Sequence, residues 1–396
     1  MIEWLSRADP NRPFLVTAER SWSYRETLDE VTGRLSREPR VLRPTLAAVS
    51  VFELMAGIAG GGVTVTGPGI ETAPVTGSAP LVVFTSGSTG APKGVRLTMS
   101  NLTAAARASA SHLGHGVDDT WVLAMPLHHV GGISILVRQA WTGGAVRLLP
   151  GFEPTGFAAA LHDVTMASVV PTMLTRLVEH GPYQGLRAVL VGGGPIPEGL
   201  LERAVEVGLP VLPSYGLTET FGQVATLRPG TPVEKKAHHL PGVELDIVDK
   251  GRIAVRGDQV SPGYVGEADR EDPWFVTGDL GSIDPDGAIR VFGRADTVIV
   301  TGGENVSPEQ VESALMEHPR VETVVIVGLP HPEWGQQLSA VYVGDVEEDE
   351  LRAWAADRLP GYMRPKRWMR VNRIPSTTLG KPDRTAVLRL CLDADG

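Results

Sequence analysis

Apolar positions in this chain come as short runs separated by glycine and proline. Residues 81–84, 168–170 and 188–191 are unbroken or nearly unbroken apolar runs, with the length of strands buried on both faces. Between them, 101–112, 156–162 and 197–207 carry helical spacing. Strand alternating with helix predicts α/β layers with largely parallel pairing. The most apolar long stretch, 46–69, is interrupted by Glu53 and by glycines, so it predicts a buried helix, turn and strand and not a membrane span.

The texture changes after Gly287. Ile289, Arg290, Val291 and Phe292 predict a strand, followed by Gly293, Arg294, Ala295 and Asp296. Ser307, Pro308, Glu309 and Gln310 have the form of a capping box with proline at the first helical position. A helix is therefore expected through Val311, Leu315 and Met316, ending before Pro319. A strand over 321–329, a helix over 348–359 opened by an acidic run, and a basic strand near Trp368 follow. The pattern predicts a large layered α/β domain, 1–293, and a small α+β domain, 294–396.

Composition narrows the function. At about 150 residues per domain, 396 residues suit two or three domains. With 42% hydrophobic and 21% charged residues the chain is globular, not fibrous or disordered. A net charge of −10 disfavours non-specific binding to nucleic acid or anionic lipid, so any anionic ligand needs a local site. A lone cysteine, Cys391, allows no internal disulfide and no cysteine-based zinc site. Glu3 and Arg7 stand where a signal peptide needs an apolar core, and a reducing cytoplasm is the expected location.

The sharpest chemical signal is Thr85, Ser86, Gly87, Ser88, Thr89, Gly90, Ala91, Pro92, Lys93 and Gly94, between two apolar runs. Glycines let backbone N–H groups approach an anion, hydroxyls donate further bonds, and Lys93 adds a point charge. It is not a Walker A loop, because Gly94 follows Lys93 where Ser or Thr is required. Patterns of serine hydrolases, zinc peptidases and dinucleotide folds do not occur.

This decapeptide closely resembles the phosphate loop of the adenylate-forming superfamily, which includes acyl- and aryl-CoA synthetases, luciferases and non-ribosomal adenylation domains. Further matches follow in the family's order. Gly192, Gly193, Gly194 and Pro195 resemble the strand end that packs on adenine, and Ser214, Tyr215, Gly216, Thr218 and Glu219 the segment after it. The resemblance makes Glu219 the Mg²⁺ ligand, Asp279 the acceptor of the ribose hydroxyls, Arg294 its companion and Lys381 the catalytic lysine. It also implies a mobile lid that pivots at Asp296 and meets coenzyme A at Gly302 and Gly303. The segment before the phosphate loop is shorter than is usual in the family. Taken singly these residues have ordinary readings: Glu219 as an acid at a helix start, Asp279 as a turn residue, Lys381 as a solvated lysine.

The family's chemistry is activation of a carboxylate by ATP and Mg²⁺ to an acyl-AMP, then transfer to coenzyme A. Residues 125–138 match the acyl pocket, and with Gln223 they look most like the branch acting on 2-succinylbenzoate in menaquinone biosynthesis. His129, Gly131, Ser134, Arg138 and Gln223 are the acyl-site candidates, Arg138 and Gln223 for a retained second carboxylate. His129 also reads as a core histidine, and Arg138 as a helix residue with its head in solvent. No aspartate occurs in 125–138 to hold an amino-acid ammonium, which disfavours amino-acid adenylation. The basic run 358–373 reads either as a solvated face or as an attractor of coenzyme A phosphates. Two rivals stay open, a ligase for another aryl or medium-chain acid and a non-catalytic nucleotide-binding module, as does a second copy of the chain as partner.

Overall fold

The structure, a computed structural model, describes residues 1–75, 79–85, 92–197, 199–233, 236–375 and 382–394. Ser86, Gly87, Ser88, Thr89, Gly90 and Lys381, all assigned roles from sequence, lie outside the described residues.

Among the described residues, two sheets form the frame of the large domain. One has nine strands, the other five. Met166–Val169, Ala188–Val191 and Val211–Leu217 run parallel at the centre of the larger, and Arg40–Leu42, Val63–Val65 and Leu81–Thr85 run parallel from one edge of the smaller to its middle. Gly222–Thr226 and Lys93–Leu97 extend the two sheets on one side as antiparallel strands. Helices Met99–Leu113 and Val130–Thr142 join the core cluster that bridges both sheets, around Phe14, Tyr24, Leu102, Trp121 and Ile133. The runs 81–84 and 188–191 are apolar throughout because central parallel strands are covered on both faces. A wholly antiparallel four-stranded sheet follows, made of Glu244–Val248, Arg252–Arg256, Phe275–Ile283 and Ile289–Arg294.

The small domain is a sheet with a core on each face. Pro308–Met316 and Glu348–Arg358 cover one side around Val311, Leu315, Leu351 and Trp368. Arg384–Asp393 covers the other through Val387 and Cys391. The central hairpin pairs Val321–His331 with Gly335–Gly344, and Arg367–Arg370 lies parallel to the latter. No helix among the described residues is long and apolar enough to cross a membrane.

Three expectations change in detail. The helix expected over 197–207 begins at Leu200, after Gly199 in left-handed backbone at φ 70°. The strand Ile289–Arg294 ends at Arg294, so the boundary drawn at 293/294 cuts its last residue. The capping box at Ser307 does not form: the helix starts at Pro308, but no side-chain cap is made. The Ser307 hydroxyl instead sits 2.7 Å from Glu309 Oε2, two residues on, and 2.7 Å from the carbonyl of Phe292, a contact no local pattern encodes.

Candidate active site

Three groups of side chains meet where the sheets of the large domain adjoin. The first is a hairpin. Leu81–Thr85 pairs with Lys93–Leu97 so that Thr85 faces Lys93, and these two residues flank the Gly/Ser/Thr segment at its base. Gly263–Tyr264 pairs on the outer side of Lys93–Leu97, and the Lys93 ammonium lies 5.2 Å from the Tyr264 ring centroid.

Tyr264 leads to the second group. Its hydroxyl donates to Glu219 Oε1 at 2.7 Å, and burial together with the Glu219 charge raises its pKa. Tyr264 therefore stays a donor and fixes one oxygen of the carboxylate. Glu219 is held from behind, where the Ser261 N–H donates to its carbonyl at 2.7 Å. The turn Thr218–Thr220 ends at Phe221, a buried non-glycine residue at φ 50°. Left-handed backbone in a bulky residue is uncommon, and its position beside Glu219 marks a constrained site. Thr220 stabilises the turn, its hydroxyl lying 2.8 Å from the Gly222 carbonyl while accepting from Leu217 N at 3.2 Å.

The third group centres on Asp279, 9% exposed. The Tyr215 hydroxyl donates to its Oδ2 at 2.7 Å, and Arg294 Nη1 lies 3.4 Å from its Oδ1. Strand register places Asp279 opposite Arg294. Burial, with Asp279 beside it, raises the Tyr215 pKa. Arg294 turns its Nε and Nη2 to Asp296 at 3.1 Å each, a forked pair. The pairing with Asp296, with Asp279 nearby and Glu219 contributing least, raises the Arg294 pKa. Gly192, Gly193, Gly194 and Pro195 follow the carboxyl end of Ala188–Val191, the end of a parallel strand at which α/β folds receive ligands. A Cβ on Gly192 would stand 2.8 Å from the Ser214 carbonyl, so only glycine lets the two strand ends lie this close.

Gly216 is tighter still. The ladder shifts register between Tyr215 and Gly216, and a Cβ there would fall 2.0 Å from the Gly222 carbonyl. Gly216→Ala must push two paired strands apart and re-aim Tyr215. A loss of about 1–3 kcal/mol is expected, read as a lower unfolding midpoint in urea.

The acyl-site candidates lie on Val130–Thr142 and the strand beside it. His129 occupies the N-cap position and packs its ring against His128 at 4.4 Å. Gly131 packs on Met125, and the Ser134 hydroxyl donates to the Gly131 carbonyl at 3.2 Å. Arg138 is 5% exposed, so its head is not in solvent. It lies 5.2 Å from the Trp121 ring, borders Gly222, and pairs with no described carboxylate. Burial alone pushes its pKa down to about 9. Gln223 is committed elsewhere: its amide accepts from Ser109 at 2.8 Å and donates to Thr226 at 2.9 Å.

Tyr264 escaped the sequence reading, because a tyrosine in a two-residue strand carries no periodic signal. The basic run is partly neutralised. Arg358 pairs with Glu317, Arg370 with Asp345 and Glu347, and Arg364 donates to the carbonyls of Ala356 and Leu359. Gly302 and Gly303, at φ 58° and 86°, form the tip of a hairpin with open space about both α-carbons. This is the backbone of a type I′ turn.

Profiles described as AMP-binding enzyme and AMP-binding enzyme C-terminal domain match residues 61–265 and 310–381. The 2-succinylbenzoate–CoA ligases of Bacillus mycoides and Bacillus licheniformis are each 38% identical, over 74% and 76% of this chain. The matches span 66% and 68% of those relatives' length, so about a third of each is unmatched in sequence. In structure, the chain is similar to the o-succinylbenzoate CoA synthetase of Bacillus subtilis. With the acyl-adenylate intermediate bound, that enzyme gives a TM-score of 0.89 at 27% identity, covering 98% of this chain and 97% of the other. With ATP and magnesium ion it gives 0.86 at 27% identity and 98% of both chains. A double mutant of it bound to a product analogue gives 0.69 at 28% identity and 97% of both.

Proposed function

Because this chain belongs to the AMP-binding enzyme family, we propose that it activates an aryl carboxylic acid with a second carboxylate, 2-succinylbenzoate, and transfers the acyl group to coenzyme A. In the first step a carboxylate oxygen attacks the α-phosphorus of ATP, and the bond to the pyrophosphate oxygen breaks. In the second, the coenzyme A sulfur attacks the acyl carbon, its proton is lost, and AMP departs.

The residues divide this work. Asp279, oriented by Tyr215 and Arg294, presents a buried carboxylate to the ribose hydroxyls. Lys93, paired with Thr85 at the base of the Gly/Ser/Thr segment, would bring a cation to the phosphates. Preorganised donors are effective here because charge concentrates on phosphate oxygens as the reaction proceeds. Glu219 fits a magnesium ion held mainly through substrate phosphates: a single carboxylate, one oxygen fixed by Tyr264, suits an ion that keeps waters and phosphate ligands. When bound, that ion would neutralise phosphate charge. The hairpin at Gly302 and Gly303 leaves room for the pantetheine arm.

Arg138 carries the substrate assignment. A guanidinium at 5% exposure with no described carboxylate beside it is costly unless a ligand supplies the anion. The test is a panel of acids assayed for pyrophosphate and for AMP with and without coenzyme A. Succinylbenzoate should be the preferred acid, and Arg138→Ala should lower its kcat/KM by roughly 10²-fold while changing benzoate less than about threefold. An equal effect on both acids removes Arg138 from the pocket. Faster turnover of simple fatty acids overturns the substrate, and no acid-dependent pyrophosphate from any member of the panel overturns the activity in favour of a binding module.

A further inference from the structure

The displaced cap at Ser307 lies on a chain of contacts that crosses the domain boundary. Phe292 belongs to the last strand of the four-stranded sheet, and Ser307 opens the first helix of the small domain. The Ser307 hydroxyl has one proton and two acceptors in reach, the Phe292 carbonyl at 2.7 Å and Glu309 Oε2 at 2.7 Å, so it bonds to the large domain in the fraction of molecules in which the proton points at Phe292. Between them is Gly293 at φ 140°, where a Cβ would fall 2.3 Å from Ser307 Oγ and 2.6 Å from Glu309 Oε2. Glycine at this position is what lets the two domains touch here.

Glu309 passes the contact on. Its Oε1 accepts from the Thr297 hydroxyl at 3.1 Å and from Arg384 Nη2 at 3.1 Å. Arg384 in turn forks onto Glu312 at 2.5 and 2.8 Å and donates to the Ile326 carbonyl at 2.8 Å. The two glutamates are 13% and 14% exposed at the side chain, and such shielded charge-assisted bonds are stiff. Arg384 starts the helix that follows Lys381 in the chain, and the Asp383 N–H donates to the Pro375 carbonyl at 2.9 Å. That bond closes the base of the segment bearing Lys381. A continuous path therefore runs from the large-domain strand, through Ser307, Glu309 and Arg384, to the foot of the lysine segment.

We infer that Ser307 and Glu309 are positioning residues forming an interdomain latch, which holds the small domain in the arrangement used for adenylation and must open for transfer to coenzyme A. The inference rests on the two-step activity proposed above. The arrangement of this chain agrees more closely with the acyl-adenylate complex of the Bacillus subtilis enzyme than with its product-analogue complex, at like coverage. A hydroxyl that bridges the boundary in one arrangement biases the equilibrium between two by its own bond strength. Its removal shifts the balance away from adenylation and cannot slow the second step.

Ser307→Ala in the full chain tests this, with the half-reactions measured apart: acid-dependent pyrophosphate release, and thioester formation from premade acyl-AMP. Adenylation should fall roughly tenfold, the size of one net hydrogen bond, while thioester formation stays unchanged or quickens. Gly293→Ala, which drives a Cβ into the latch, should shift the two steps in the same directions and further. A fluorescence-transfer pair on exposed positions of the two domains should report fewer molecules in the adenylation arrangement for both variants. Parallel loss in both steps, or no change in either, overturns the latch. Wild-type protein that releases no pyrophosphate instead overturns the activity, and the fluorescence pair then still decides whether Ser307 sets the domain arrangement.

Discussion

Lys381→Ala should cut acid-dependent pyrophosphate release by roughly 10²- to 10³-fold and leave thioester formation from premade acyl-AMP within a few-fold. The asymmetry follows from where charge develops. In the first step negative charge builds on the α-phosphate and on the departing pyrophosphate, and a cation placed there stabilises the transition state more than the ground state. In the second step AMP leaves with a single phosphate and no pyrophosphate is released, so the same lysine has little to neutralise. The segment bearing Lys381 is anchored at its foot by the Asp383–Pro375 bond and by Arg384 on Glu309 and Glu312, and neither anchor needs the lysine side chain. Folding should therefore survive the substitution. Separate assays of the two half-reactions check the prediction, and equal loss in both would make Lys381 a structural residue.

The parts of this fold that were legible in the sequence are those with a local cause. Residues 81–84 and 188–191 read as strands because a run buried on both faces must be apolar throughout, and they are central strands of their sheets. The helix over Pro308–Met316 was equally plain, from a proline at its first position and apolar residues at 311 and 315. What its cap does was not. Ser307 has the right neighbours for a capping box, yet its hydroxyl goes to Phe292 across a domain boundary, a contact at long sequence separation. The same holds within the site. Asp279 and Glu219 stood out through their motifs, but the tyrosines that orient them, Tyr215 and Tyr264, are brought to them only by the sheets. Gln223, a candidate for the retained carboxylate from sequence, has its amide oxygen on Ser109 and an N–H on Thr226 in the fold, partners no motif announces. A motif identifies a reactive group. Whether that group is free or already engaged depends on neighbours distant in the chain.

Asp296→Pro should leave pyrophosphate release within about tenfold of wild type and slow thioester formation from acyl-AMP by roughly 10²-fold. The backbone on either side supports this expectation. Ala295 is fixed to the large domain, its N–H donating to the Gly278 carbonyl at 2.8 Å. The Thr297 hydroxyl reaches both ways, with the Arg294 carbonyl at 3.0 Å and Glu309 Oε1 at 3.1 Å. Asp296 stands between these two residues, and its dihedrals are where a rotation of one domain against the other is expected to be absorbed. Proline fixes φ near −65° and restricts the residue before it, which traps one arrangement. The substitution also removes the carboxylate that forks with Arg294 at 3.1 Å. Asp296→Ala separates the two effects, since it deletes the carboxylate and leaves the backbone free. That variant should lose some adenylation, through a less well-oriented Arg294 beside Asp279, and keep the thioester step. Ser307→Ala and Asp296→Pro then act on opposite half-reactions, one by loosening the adenylation arrangement and the other by locking it. If Asp296→Pro keeps both steps at wild-type rates, the rotation is absorbed elsewhere, and Ala295 and Thr297 move together.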